Sequence, residues 1–104
     1  MDLTIKQLFH SEIGGVILVK DYIKYGEKEY EVSTVYIENM CTFETMIFPT
    51  DNGNTSGEEV YMFRTFDAGE SRRKHEDILT NMENYISEEA IERYFREKEE
   101  WLNT

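Results

Sequence analysis

Glu44 is the first residue to consider for chemistry, because it is the only charged residue in the apolar stretch 43–48, FETMIF. A carboxylate that works as a general acid or base needs a partner and a pocket that shifts its pKa. No His or Asp adjoins this stretch, so a partner would have to come from elsewhere in the fold. We expect Glu44 to be structural, as a cross-strand hydrogen-bond acceptor or a surface charge on a strand. The alternative is a hydrolase in which Glu44 and His75 converge in a cleft.

His10 and His75 are the only histidines and Cys41 is the only thiol, so a Cys-His dyad is arithmetically possible. A glutamate stands three residues before Cys41 and another three residues after it, and acidic neighbours make a thiol a poorer nucleophile. His75 falls on the apolar stripe of a predicted helix, where we expect a hydrogen-bonded residue at the edge of the core. We therefore predict no catalytic residue and, since these residues match no zinc spacing, no metal or cofactor site.

The spacing of apolar residues has a period of two up to about residue 64 and a period of about 3.6 afterwards. His75, Ile78, Leu79 and Met82 begin the helical pattern, and Ser87 can cap a second helix. This order predicts an α+β fold: a four-stranded antiparallel sheet followed by two C-terminal helices packed on one face. We predict a single domain, 1–104, with strands at about 16–25, 29–37, 42–48 and 59–64 and helices at about 69–86 and 88–102.

The net charge of the chain is its most unusual property. Twenty-two acidic residues against eleven basic ones give a formal charge of −11 over 104 residues. Such a surface repels nucleic acid and anionic membranes and favours encounters with basic proteins; the simpler interpretation is that the charge only keeps the protein soluble. One cysteine, no secretion signal and no apolar run long enough for a membrane helix predict a reduced, cytoplasmic protein.

The second predicted helix contains six glutamates against three basic residues in the segment 88–100. A solvated helix face is the simpler explanation, and an acidic surface that binds a basic groove is the more specific one. The candidate partner-binding residues are Glu88, Glu89, Glu92, Glu97, Glu99 and Glu100. The basic cluster 72–74 is flanked by acids, so we expect pairing within its own helix, for example between Arg72 and Glu76.

Three stretches resemble the core of a family of small phage and prophage proteins: residues 33–36 (STVY), residues 43–48 (FETMIF), and Arg64-Thr65 followed by a helix that contains His75. The family core reads Ser-Thr-Val-aromatic, then Phe-Glu-Thr-Met-Val-Phe, then Tyr-x-Thr and a helix with a Gly-His pair. The resemblance covers roughly residues 30–80. The chain departs from the family in lacking its Gly- and Pro-rich loop and in having Lys74 in place of the glycine. The resemblance implies a phage setting and supplies no mechanism.

These observations predict a small acidic phage-type protein that is not an enzyme. In size and charge it resembles anti-CRISPR and anti-restriction proteins, so the predicted partner is a basic host protein such as a CRISPR or restriction nuclease. The predicted mechanism is nucleic-acid mimicry, with carboxylates competing for a Lys- and Arg-lined groove in the host cytoplasm. Direct binding to nucleic acid or membrane is not expected. The alternative is a structural or regulatory phage protein that self-associates, for example as a homodimer.

Overall fold

The computed structural model describes residues 15–103, which form an antiparallel sheet followed by helices. The predicted α+β fold is therefore confirmed. The strands are β1 (Gly15–Tyr25), β2 (Lys28–Ile37), β3 (Thr42–Asp51), β4 (Asn54–Thr55) and β5 (Tyr61–Thr65); the helices are α1 (Ala68–Thr80), α2 (Glu83–Ile86) and α3 (Glu88–Leu102), and a short 3-10 turn, Glu38–Met40, joins β2 to β3.

The sheet has the order β1-β2-β3-β5, with the two-residue strand β4 paired to the end of β3. A two-residue turn joins β1 to β2, and Gly26 adopts φ +66° there, a conformation that side chains disfavour. In the register of β2 and β3, Thr34 pairs with Thr45 and Val35 pairs with Glu44. Because neighbouring residues on a strand point to opposite faces, these two pairs lie on different faces of the sheet.

The core lies between the sheet and the helices. Val32, Ile47 and Ile78 are completely buried, and Tyr30 and Ile86 are almost so. Val32 and Ile47 are register partners on the strands, so they form one apolar layer under α1. The opposite face of the sheet is also buried at its centre, as shown by the low exposure of Ser33, Val35, Thr42 and Glu44.

One predicted helix is divided in the structure. The periodicity predicts a continuous helix at about 69–86, but α1 ends at Thr80 and α2 begins at Glu83. Asn81 ends α1, with its N–H bonded to the carbonyl of Asp77 and its side-chain amide bonded to the Asp77 carboxylate. Asn favours helix ends because its side chain competes for backbone and nearby polar groups. The break lets the Tyr85 hydroxyl donate a hydrogen bond to the same carboxylate.

The sheet also extends further than predicted. Strand β3 continues past Pro49 to Asp51, where we expected a polar loop to begin. Proline has no N–H to donate, but the Pro49 carbonyl accepts a hydrogen bond from the Ser56 N–H at 2.8 Å. This contact closes the hairpin that contains β4. Among the described helices, none has the length and apolarity needed to cross a membrane.

Candidate functional site

Glu44 is a buried residue in an ion pair across two strands. It is only 5% exposed, and its carboxylate accepts hydrogen bonds from Nε of Arg64, at 2.8 Å, and from Nη2 of the same guanidinium. Arg64 is its register partner on β5. The predicted role as a cross-strand acceptor is confirmed.

The hydrolase alternative needed Glu44 and His75 to share a cleft, and the structure contradicts it. Thr45, next to Glu44 on β3, belongs to the face of the sheet that contacts His75. Since side chains alternate along a strand, Glu44 points to the opposite face. The two groups are therefore separated by the sheet itself.

His75 is the centre of a buried chain of hydrogen bonds. Its Nδ1 lies 2.9 Å from Oγ1 of Thr34, and its Nε2 lies 2.8 Å from Oδ2 of Asp21. The Thr34 hydroxyl also lies 2.8 Å from Oγ1 of Thr45. His75 is 1% exposed and Thr45 is fully buried. With the proton on Nε2, the ring donates to Asp21 and accepts from Thr34, and Thr34 accepts from Thr45, so every polar atom of the ring has a partner.

The hydrogen-bonded series Thr34–His75–Asp21 has the residue types of a nucleophile, a base and an orienting carboxylate. The solvent exposure of its hydroxyl and of its carboxylate is the reverse of that in a catalytic triad. In a hydrolase the hydroxyl faces the substrate and the carboxylate is buried behind the imidazole. Here Thr34 is 3% exposed, whereas the Asp21 side chain is 44% exposed. The arrangement is therefore a structural tie that joins β1, β2 and β3 to α1. His75 matches its predicted hydrogen-bonded role, and Asp21, Thr34 and Thr45 are partners that sequence reasoning missed.

Cys41 does not form a dyad with His75. It is exposed, has φ +53° at the end of the 3-10 turn, and its Sγ approaches the Glu38 carbonyl oxygen at 3.7 Å. Both ring nitrogens of His75 are bonded elsewhere. His10, the other candidate for a dyad, lies outside the described residues. Within residues 15–103 there is no group of three or more His, Cys, Asp or Glu side chains arranged to hold a metal ion.

Helix α3 is fixed to the rest of the fold by a polar cluster at one of its faces. Oγ of Ser87 accepts a hydrogen bond from the Ala90 N–H and caps the helix, as predicted. Further along, the Tyr94 hydroxyl donates to the Glu59 carboxylate at 2.6 Å, and Nζ of Lys98 lies 2.7 Å from the same carboxylate. Burial alone would raise the pKa of Glu59, but the hydrogen bonds from Lys98 and Tyr94 outweigh it and hold that pKa below its ordinary value.

We predict that Tyr94→Phe destabilises the protein by about 1.5 kcal/mol at pH 7, because it removes a hydrogen bond to an ionised carboxylate. The pKa of Glu59 is lower in the folded state than in the unfolded chain, so its stabilisation is complete above the unfolded value and is lost as the pH falls through the folded value. The difference between wild type and variant should therefore shrink as the pH is lowered from 7 to below the ordinary pKa of a glutamate. Urea unfolding at the two ends of this range measures it, and an equal difference at both would contradict the assignment.

The six candidate glutamates all lie on the exposed part of α3. Within the described part of the chain, none of them forms a salt bridge or a side-chain hydrogen bond. Arg93 and Arg96 are also exposed, and they too lack an ion pair in this part of the structure. Glu88, Glu92 and Glu99 fall within about 40° of one another around the helix axis, and Glu89, Glu100 and Glu97 extend the set over about 180°. We call this set of six carboxylates the acidic face; it comprises Glu88, Glu89, Glu92, Glu97, Glu99 and Glu100.

A groove of about 620 Å³ continues from the N-terminal end of the acidic face toward the β1–β2 turn. Its lining includes the apolar groups of Tyr25 and Ile91, the carboxylates of Glu27, Glu88 and Glu92, and the ammonium group of Lys28. All four charged residues are exposed. Three carboxylates against one ammonium group give the groove a net negative charge beside its aromatic and aliphatic surface.

Comparison of the chain with protein-family models, with curated proteins and with solved structures gave no match. The fold and the geometry of these residues are accordingly the basis for a functional proposal.

Proposed function

We propose that this protein binds a basic surface of another protein through the acidic face of α3 and thereby keeps nucleic acid from that surface. The observation that supports this most strongly is that the six carboxylates are exposed and unpaired in the part of the chain that the structure describes. A helix face that served only as a solvated surface would gain stability from pairs between residues four apart, such as Glu92 with Arg96, and the side chains do not form them.

The charge spacing on α3 is close to that of a nucleic-acid strand. The six carboxylates occupy a helix length of about 18 Å, or one charge per about 3 Å. The guanidinium groups of Arg93 and Arg96 have no ion pair among the described residues, and counting them against the carboxylates leaves one net charge per about 4.5 Å. A single strand of DNA has one phosphate per about 3.4 Å along its axis. A groove that binds phosphates through Lys and Arg would therefore meet a similar number of negative charges per ångström along this helix.

The groove beside the acidic face offers a place for a basic side chain of the partner. The aliphatic stem of an Arg or Lys would lie against Tyr25 and Ile91, and its charged head would approach Glu27, Glu88 and Glu92. Long-range attraction between the two surfaces would raise the association rate, and the docked helix would exclude nucleic acid by occupying its site.

The partner class that we propose is a nucleic-acid-handling defence protein of a bacterial host, of the kind inhibited by anti-CRISPR or anti-restriction proteins. Such proteins present grooves lined with Lys and Arg, which fit the charge of α3. The resemblance to phage proteins supplies the setting. In this setting the protein acts as an inhibitor by mimicking nucleic acid, without catalysis of its own.

A pull-down from nuclease-treated bacterial lysate tests this function. The tagged protein should retain a basic, nucleic-acid-binding protein at about 50 mM salt and release most of it at about 500 mM, because interactions between exposed charges are screened over shorter distances at high salt. Added DNA or RNA should also displace the retained protein. Retention that is unaffected by salt and by nucleic acid would contradict the proposal.

Self-association is the second candidate, and the exposed side chains of β1 favour it. Leu18, Val19 and Tyr22 are between 38% and 54% exposed, and among the described strands β1 pairs only with β2. An exposed apolar edge strand is a common site for pairing with a second chain. A stable homodimer that retains no lysate protein would favour this candidate over an inhibitor.

A further inference from the structure

A second cavity lies between α1 and strands β1 to β3. Its volume is about 310 Å³, at the lower end of the range of small-molecule sites. Leu18, Val19 and Phe43 supply apolar walls, and Ser71, Arg72 and Glu76 supply polar groups from α1. None of these residues belongs to the acidic face, so the cavity is independent of the proposed function.

Ser71 is the unusual group in this cavity. It is 1% exposed, and its Oγ has no hydrogen-bond partner among the described residues. Buried hydroxyl groups in native proteins are almost always bonded, because an unbonded one loses its interaction with water without replacement. Thr34 and His75 also line the cavity, but they bond to each other and neither bonds to Ser71. A ligand in the cavity that accepts a hydrogen bond would supply the missing partner.

Arg72 and Glu76 provide two charges at the same cavity, and neither has an ion pair among the described residues. The sequence predicts an ion pair between them, and this expectation is wrong: both are exposed and no salt bridge joins them. Their order explains part of this, since a base that precedes an acid by four residues is the less favourable arrangement on a helix. A cation and an anion about one helical turn apart, with a rise of about 6 Å between them, therefore lie beside an apolar cavity without an ion pair in the described part of the chain.

We propose that this cavity binds an α-amino acid with an apolar side chain. The carboxylate of the ligand bonds to the guanidinium of Arg72 and accepts a hydrogen bond from Oγ of Ser71. Its ammonium group lies near the carboxylate of Glu76. The apolar side chain occupies the space between Leu18, Val19 and Phe43. The cationic, anionic and apolar groups of the cavity match the carboxylate, the ammonium group and the apolar side chain of such a molecule. No simpler ligand uses all three.

Titration of the full chain with phenylalanine and three partial analogues, followed by NMR chemical shifts, tests this proposal. 3-Phenylpropionate lacks the ammonium group, phenethylamine lacks the carboxylate, and glycine lacks the apolar side chain. Phenylalanine should bind at least about tenfold more tightly than each analogue, since a hydrogen bond or ion pair to a charged group, or burial of an apolar side chain, has an effect of that size. Absence of binding by all four compounds at about 10 mM, tenfold above a Kd of about 1 mM, would overturn it. Equal binding by phenylalanine and phenylpropionate would also overturn it.

Variants in the cavity separate binding from folding. Arg72→Gln should weaken phenylalanine binding about tenfold, whereas Arg73→Gln, a matched change at the next position of α1, should leave it unchanged. Ser71→Ala should weaken binding and yet raise the Tm of the free protein by about 4 °C, because it removes an unbonded hydroxyl from the interior. Binding that is equally sensitive to Arg72→Gln and Arg73→Gln, or insensitive to both, would contradict the site.

Discussion

Replacing His75 by alanine is expected to lower the free energy of unfolding by about 3–5 kcal/mol, the range found when a large buried side chain is truncated. His75 is 1% exposed, and its ring joins Asp21 to Thr34 across the interface between α1 and the sheet. The variant would leave a cavity and would also leave the Thr34 and Thr45 hydroxyls without their link to Asp21, which adds a desolvation cost. Urea unfolding followed by circular dichroism at pH 7 measures the loss.

Two further variants serve as controls for this prediction. Thr80→Ala, at the exposed last residue of α1, should change the free energy of unfolding by less than about 0.5 kcal/mol. Asp21→Asn keeps an acceptor for the His75 ring and should have a smaller effect than His75→Ala, since the Asp21 carboxylate is partly exposed. A loss below about 1 kcal/mol for His75→Ala would mean that the chain of hydrogen bonds does not tie the helix to the sheet.

The second large effect concerns the acidic face. Changing Glu92, Glu99 and Glu100 together to lysine should weaken binding to a basic partner by about 100-fold or more, because attraction between charges becomes repulsion at three positions. Glu88 and Glu89 are left unchanged, since acids in the first turn stabilise the helix through its dipole. Isothermal titration calorimetry with the partner recovered from the lysate measures the change.

A matched control separates the position of the charges from their number. Changing Glu38, Asp51 and Glu76 to lysine alters the net charge by the same amount at three exposed positions outside α3. This variant should bind within a few-fold of wild type, and both variants should unfold at nearly the wild-type urea concentration. Equal weakening by the two variants would show that net charge alone, without the acidic face, determines binding.

Much of the fold follows from local sequence patterns, and the exceptions have physical causes. The change from alternation to a 3.6-residue period placed the sheet before the helices, because the two periodicities reflect different geometries of burial. The same pattern continues through Met82 and Tyr85, so it gave no sign of the break after Thr80. The break depends on the contacts of Asp77 with Asn81 and Tyr85, which are properties of the folded chain.

The candidate sites were less accessible to sequence analysis. The exposed position of the glutamates on α3 follows from helical periodicity, and the structure agrees with it. The partners of His75 could not be predicted, because Thr34 is 41 residues away from it in the chain and Asp21 is 54 residues away. Only the register of three strands brings them together. The cavity beside Ser71 could not be predicted for the same reason, since its lining comes from β1, β2, β3 and α1.

Direct competition with nucleic acid is the most decisive measurement for the proposed function. A fluorescent oligonucleotide bound to the basic partner is titrated with wild-type protein, and its anisotropy is followed at about 100 mM salt, where charges still interact over roughly 10 Å. Wild type should displace the oligonucleotide completely, whereas the variant with lysine at positions 92, 99 and 100 should not. Formation of a ternary complex, in which the partner binds protein and oligonucleotide together, would contradict competition at a shared surface.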